Sequence, residues 1–115
     1  MNLEGSGGVV LAHPVQWTGD AQADNALATA TKAAQVDKTH YLCAVIAGYS
    51  NANAGKLVTV KDGATIVLRA RIHNSLELVF ANPLRITRGN AVSAELDASG
   101  TAGQNGNVAI LGFTR

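Results

Sequence analysis

Apolar and polar residues alternate in short runs from His40 to Arg115, and Gly, Asn and Asp residues separate these runs. Alternation with a period of two, interrupted by turn-forming residues, predicts antiparallel β-strands. The clearest runs are 56–61 and 64–72, which Asp62-Gly63 joins. Because glycine supplies the positive φ that a two-residue hairpin turn requires, we expect a hairpin there. One face of its second strand should then carry Ile66, Leu68, Ala70 and Ile72.

The other runs differ in how strongly they indicate strands. Residues 41–48 and 107–114 are apolar on both alternating faces, so both strands should be covered on both sides. Residues 9–12 predict a short edge strand, because Pro14 follows closely. Residues 20–34 are ambiguous: the alanines favour a helix, whereas the alternation and threonines of 25–32 favour a strand, which we predict.

These runs give about eight strands with turn residues between them, a spacing typical of sandwiches and jelly rolls. The predicted fold is therefore all-β, a jelly-roll-like antiparallel β-sandwich. We expect a single domain over residues 9–115, because a chain of 115 residues is of ordinary one-domain size. Residues 1–8 carry three glycines and a serine and are predicted to form a flexible N-terminal arm.

The composition indicates a protein that does not work as a lone monomer. Charged residues are 15% of the chain and hydrophobic residues 47%, so its surface should be poor in charge. We therefore expect oligomerisation or a permanent partner. A net charge of +1 is too small to favour binding to nucleic acid or to an anionic membrane. The sequence shows no secretory leader and no apolar run of membrane-spanning length, so synthesis in a cytoplasm is expected.

The residues that could carry chemistry do not form a recognisable catalytic or metal-binding motif. The three histidines, His13, His40 and His73, lie far apart in the sequence, without a second ligand at metal-binding spacing. Cys43 lies in an apolar strand, where burial disfavours a reactive thiolate. We therefore predict neither an enzyme nor a cofactor.

Trp17 allows two interpretations. A tryptophan near a flexible arm often anchors a contact with a partner, which would make Trp17 a binding residue. It could equally fill the open end of the sandwich as part of the core.

Four sequence segments carry a resemblance to known proteins. They are Gly55 to Gly63, Phe80 to Leu84, Gly89 to Leu96 and Gly106 to Arg115. Their lysine-aspartate-glycine hairpin, proline-leucine strand entry and glycine-asparagine-alanine strand entry resemble those of small jelly-roll structural proteins of tailed bacteriophages. The resemblance covers about residues 41–115.

This resemblance implies a virion component, namely a capsid decoration or cement protein that is made in the host cytoplasm. Such a protein would bind the major capsid protein on the outside of the head as a homotrimer and stabilise the shell. The implied capsid-binding residues belong to the arm and its surroundings: Met1, Asn2, Leu3, Glu4 and Trp17. The implied trimer interface comes from the two strands that are apolar on both faces: Tyr41, Cys43, Val45, Leu111 and Phe113.

A second interpretation remains open. Trimeric jelly rolls also serve as receptor- or glycan-binding modules of phage head or tail fibres. An exposed aromatic patch would favour this alternative over the decoration protein.

Overall fold

The computed structural model describes residues 15–51 and 56–115. The predicted arm, with Met1, Asn2, Leu3 and Glu4, and the strand predicted at 9–12 lie outside the described residues.

The described residues form eight β-strands. These are β1 (Trp17–Asp24), β2 (Ala28–Lys32), β3 (His40–Tyr49), β4 (Lys56–Asp62), β5 (Thr65–Ile72), β6 (Ser75–Arg85), β7 (Val92–Leu96) and β8 (Asn105–Thr114). The ambiguous stretch 20–34 contains the end of β1 and all of β2, with a turn between them at Asn25, whose φ is 49°. Its alanines therefore serve as small strand residues rather than as helix formers.

Two antiparallel four-stranded sheets pack face to face. The first sheet has the order β1-β8-β3-β6, and the second has the order β2-β7-β4-β5. The chain crosses from one sheet to the other at every connection except the β4–β5 hairpin. This path is that of a jelly roll, so the predicted all-β sandwich is confirmed. The sandwich is flat, with extents of 42 × 35 × 18 Å, as expected of two layers.

The space between the sheets is filled mainly by small branched side chains. The largest completely buried members of this core include Leu42, Ile72, Ile86, Leu96 and Ile110. On β7 and β8 the buried residues alternate with partly or fully exposed ones, as the sequence pattern predicts.

The Asp-Gly hairpin is present, but its position differs by one residue from the prediction. Asp62 ends β4 and pairs with Thr65, so Gly63 and Ala64 form the turn, and Gly63 has a φ of 59°. The register shifts by one residue between Val60 and Lys61. Such a bulge reverses the alternation beyond it.

The expected common face of β5 is therefore wrong at one residue. Leu68 pairs with the core residue Val60, but Ile66 pairs with Lys61, which follows Val60 in β4 and lies on the face away from the core. Ile66 thus lies on the opposite face and is 42% exposed.

Asp62 also fastens the β4–β5 hairpin to the loop after β6. Its carboxylate accepts hydrogen bonds from the Thr87 amide at 2.9 Å, the Thr87 hydroxyl at 2.8 Å and the Asn90 side-chain amide at 2.9 Å. Burial by itself raises the pKa of Asp62, but the donated hydrogen bonds outweigh it and the net effect lowers the pKa. The ionised carboxylate therefore stabilises the folded state.

We expect Asp62→Asn to destabilise the protein by about 1 to 2 kcal/mol at pH 7, because hydrogen bonds to a charged acceptor are lost. Since the folded-state pKa is lowered, the contribution of Asp62 is present above its unfolded-state pKa, about 3.9, and is lost as the pH falls through the folded-state value. The difference in the free energy of urea unfolding between wild type and Asp62→Asn should therefore disappear in acid. A difference of equal size at pH 7 and in acid would contradict this role.

Candidate binding surface

The outer face of the first sheet, which points away from the second sheet, is unusually apolar. Its cross-strand rows run over β1, β8, β3 and β6: one contains Thr18, Leu111, Ala44 and Val79, and the next contains Asp20, Ala109, Ile46 and Glu77. In the centre, Ile46 is 43% exposed and Val79 40% exposed. An antiparallel sheet of a sandwich ordinarily has a polar outer face, so these positions indicate a contact surface.

An aromatic pair borders this region. Tyr41 and Phe113 are directly opposite on β3 and β8, and their rings stack with centroids 4.8 Å apart and planes 8° apart. The Arg115 guanidinium lies 5.3 Å from the Phe113 ring centroid. We call the surface formed by Tyr41, Ile46, Val79, Ala109 and Leu111 the apolar patch.

Two of the five predicted trimer-interface residues, Tyr41 and Leu111, belong to the apolar patch, and a third, Phe113, stacks on Tyr41 but is itself 5% exposed. Cys43 is the residue at the register shift between Leu42 and Ala44 and is 2% exposed, and burial raises the pKa of its thiol. Val45 is corrected: it is completely buried in the core between the sheets, so a second copy cannot touch it. A strand that is apolar on both faces does not reveal which face is inside.

Trp17 packs against the core at the end of the sandwich instead of extending from it. Its indole Nε1 donates a hydrogen bond to the Thr114 hydroxyl at 3.0 Å, and the Lys32 ammonium lies 5.8 Å from its ring centroid. The structure therefore matches the interpretation in which Trp17 closes the sandwich. Its predicted role in binding a capsid stays a prediction.

The Trp17 hydrogen bond continues into a buried histidine. The Thr114 hydroxyl lies 2.7 Å from Nδ1 of His40, and Nε2 of His40 lies 2.8 Å from the Ala33 carbonyl oxygen. Because that carbonyl can only accept, we assign the ring proton to Nε2, so Nδ1 accepts from Thr114. Both ring nitrogens of this completely buried side chain are thus satisfied by protein groups.

An open, shallow trough lies beside the apolar patch on the same outer face. Its volume is about 420 Å³, and its polar rim comes from Gln22, Ser50, Asn105 and Asn107. Gln22 and Asn107 are directly opposite on β1 and β8, and Gly48 follows Asn107 in the same row. We call this region the amide trough. Sequence reasoning missed it, since its residues come from three distant segments.

The aromatic residue nearest the amide trough is turned inward. Tyr49 is buried, and its hydroxyl donates to the Asp97 carbonyl oxygen at 2.8 Å. Burial, together with the negative charge of Asp97, raises the pKa of Tyr49 to about 12. Tyr49 is among the residues that line the trough, but it is only 8% exposed and therefore contributes mainly structure.

The surroundings of the amide trough carry negative charge. Asp20 and Asp24 flank Gln22 on the exposed side of β1, and Glu77 is opposite Ile46 on β6. The residues that line the trough are all uncharged. The local field therefore disfavours an anionic ligand.

Within residues 15–51 and 56–115, His, Cys, Asp and Glu side chains do not gather in threes at a position that could hold a metal ion. Over the same ranges, the structure contains no helix with the length and hydropathy to cross a membrane.

Comparison with known proteins shows a distant structural likeness. No protein family matches the chain, and no curated protein does. A similar solved structure is the CBM36-1 domain of a multidomain xylanase from the hindgut metagenome of Trinervitermes trinervoides. The identity is 15%, the likeness covers 89% of this chain and 88% of that domain, and the TM-score is 0.40. A likeness at this level does not bear on the function of this chain.

Proposed function

We propose that this chain acts by binding rather than by catalysis, as a capsid decoration protein that attaches to the head of a tailed phage as a homotrimer. The observation that carries the proposal is the apolar patch on the outer face of the first sheet. Together with the resemblance of residues 41–115 to phage structural proteins, it favours a subunit that is complete only in an assembly.

The apolar patch is suited to contact between copies. Its residues come from three neighbouring strands of one sheet, and Tyr41 is already held in place by its stacking on Phe113. Covering Ile46 and Val79 would remove apolar area from water at roughly 25 cal/mol per Å². Three copies around an axis can bury such patches together, and the assembled trimer can then span several subunits of the major capsid protein.

Val79→Lys tests the assembly step. A lysine at this position puts one positive charge per copy into the shared surface, so we expect the trimer to dissociate to monomers while the thermal midpoint of the monomer stays unchanged. Light scattering measures the mass. Val36→Lys is the matched control, because Val36 is 89% exposed in the connection between β2 and β3.

The attachment step is tested by mixing each protein with undecorated heads and imaging them. Wild type and Val36→Lys should occupy threefold or quasi-threefold positions, and Val79→Lys should leave most of them empty. A wild-type protein that is monomeric at all concentrations, or that ignores the heads, would overturn the decoration function.

A second function is favoured by a different observation, the amide trough. A concave surface lined with neutral amides is typical of recognition of polar small molecules, which supports the receptor- or glycan-binding alternative. Wild-type protein that binds host cells or their surface polysaccharide, but not phage heads, would support this second function over the first.

A further inference from the structure

We infer that the amide trough binds a neutral, hydroxyl-rich ligand, and that a sugar unit of an uncharged glycan is the chemical class that fits. The inference rests on the glycan-binding function proposed above and assigns its site and its ligand class.

The hydrogen-bonding groups of the trough match the hydroxyls of a sugar. A side-chain amide offers donors and an acceptor side by side, and each hydroxyl of a sugar also donates and accepts. The side-chain amides of Gln22 and Asn107, which are cross-strand neighbours, make no hydrogen bond with another residue within 15–51 and 56–115. The pair can therefore contact two adjacent hydroxyls of one ring.

Ser50 and Asn105 add a second polar group at the end of the trough. The Ser50 hydroxyl oxygen accepts from the Asn105 backbone amide at 3.1 Å, and the Ser50 amide donates to the Asn105 carbonyl oxygen at 2.9 Å. These bonds fix Ser50 relative to β8 and leave its hydroxyl hydrogen for a ligand acceptor.

The floor and one wall of the trough are suited to the apolar parts of a sugar ring. Gly48 has no side chain, so a ring can approach the sheet closely at this point. Ile46 is 43% exposed and provides an apolar wall for the C–H groups of the ring. The volume of about 420 Å³ lies within the roughly 300–1,000 Å³ of small-molecule sites.

Charge decides between neutral and anionic glycans. Asp20, Asp24 and Glu77 surround the trough on the outer face, whereas its lining contains no basic side chain to pair with a carboxylate or phosphate. An anionic sugar would meet repulsion without a compensating ion pair. We therefore expect selection for uncharged sugars.

The test begins with an array of neutral and anionic glycans probed with the complete chain, followed by titration calorimetry with the neutral glycan that binds best. Gln22→Ala and Asn107→Ala should each weaken binding about tenfold or more, because each removes a side-chain amide of the protein that would form hydrogen bonds with the ligand. Gln35→Ala, which removes an exposed amide from the connection between β2 and β3, is the matched control and should leave affinity unchanged.

Gly48→Ala distinguishes a filled trough from a damaged fold. The added Cβ would have its nearest neighbour, the Asn74 carbonyl oxygen, at an ordinary 3.5 Å, so the thermal midpoint should stay the same. The methyl group nevertheless occupies the floor of the trough. We expect a loss of affinity of about tenfold with full retention of folding.

The possible failures are distinguishable. Neutral-glycan binding that all three trough variants retain would overturn the site and leave the glycan-binding function standing. Preference for anionic glycans would overturn the ligand class. Absence of binding to every glycan on the array by folded wild-type protein would overturn both the inference and the second function, and would not affect the decoration function.

Discussion

Gly112→Ala is expected to lower the free energy of unfolding by about 3 kcal/mol or more, a large part of the 5–15 kcal/mol typical of a domain. Gly112 lies in β8 between Trp17 of β1 and Leu42 of β3. A Cβ at this position would collide with the Tyr41 carbonyl oxygen and would lie 2.5 Å from the Trp17 ring. The carbonyl belongs to a strand inside the sheet, so it cannot move away without disturbing its ladder.

Urea unfolding monitored by circular dichroism measures this effect, with Gly48→Ala as the matched control on the neighbouring strand. The control should change stability by no more than about 0.5 kcal/mol. Trp17→Ala combined with Gly112→Ala should not recover the loss, because the Tyr41 carbonyl remains in place. Equal stabilities of Gly112→Ala and Gly48→Ala would contradict this prediction and would mean that neighbouring strands can move apart at Gly112.

His40→Ala should destabilise the protein by about 3 kcal/mol or more. The substitution leaves a cavity at a completely buried position and removes the partners of the Thr114 hydroxyl and the Ala33 carbonyl. His73→Ala is the matched control: His73 is exposed between β5 and β6, so its removal should change stability by about 0.5 kcal/mol at most.

The hydrogen-bond chain itself is tested by a double-mutant cycle with Thr114→Val. Thr114 joins Trp17 to His40, so the two losses should not add: once the histidine is gone, removal of the threonine hydroxyl should cost less than it does in wild type. Additive losses would mean that His40 acts through packing alone.

The strands and the main hairpin could be predicted because their signals are local. Alternation marks a strand wherever one face is buried, and Asp62-Gly63 marks a turn because few residues accept a positive φ. The same local reasoning favoured a strand at 20–34 despite its alanines. In β2 the exposed threonines alternate with buried alanines.

The assignment of faces could be predicted only as far as the first bulge. Ile66 and Val45 were both placed wrongly for the same reason. One register shift lies between Val60 and Lys61, opposite β5, and another lies between Leu42 and Ala44 in β3, so Val45 faces the core although Tyr41 faces outward. A bulge depends on how two distant strands pair, and the composition of either strand does not reveal that pairing.

The candidate sites depend on the pairing of strands even more than the assignment of faces does. Gln22, Gly48 and Asn107 look like ordinary strand or turn residues in the sequence, and they become one row only through the register of β1, β8 and β3. The one local signal was the exposed side of β1, where Gln22 alternates with inward residues. The apolar patch was easier to predict. β3 and β8 are apolar on both faces, and the core between the sheets can cover only one face of each strand.

The position of β8 has a consequence for synthesis on the ribosome. Among the described strands, β1 is hydrogen-bonded to β8 alone, and β8 also lies beside β3. β1 therefore gains no neighbour in its own sheet until β8 has been synthesised, while the hairpin of β4 and β5 can form early. Nascent chains should thus leave the backbone hydrogen-bonding groups of β1 without a strand partner until translation has passed Thr114, and unpaired strand edges are prone to aggregation.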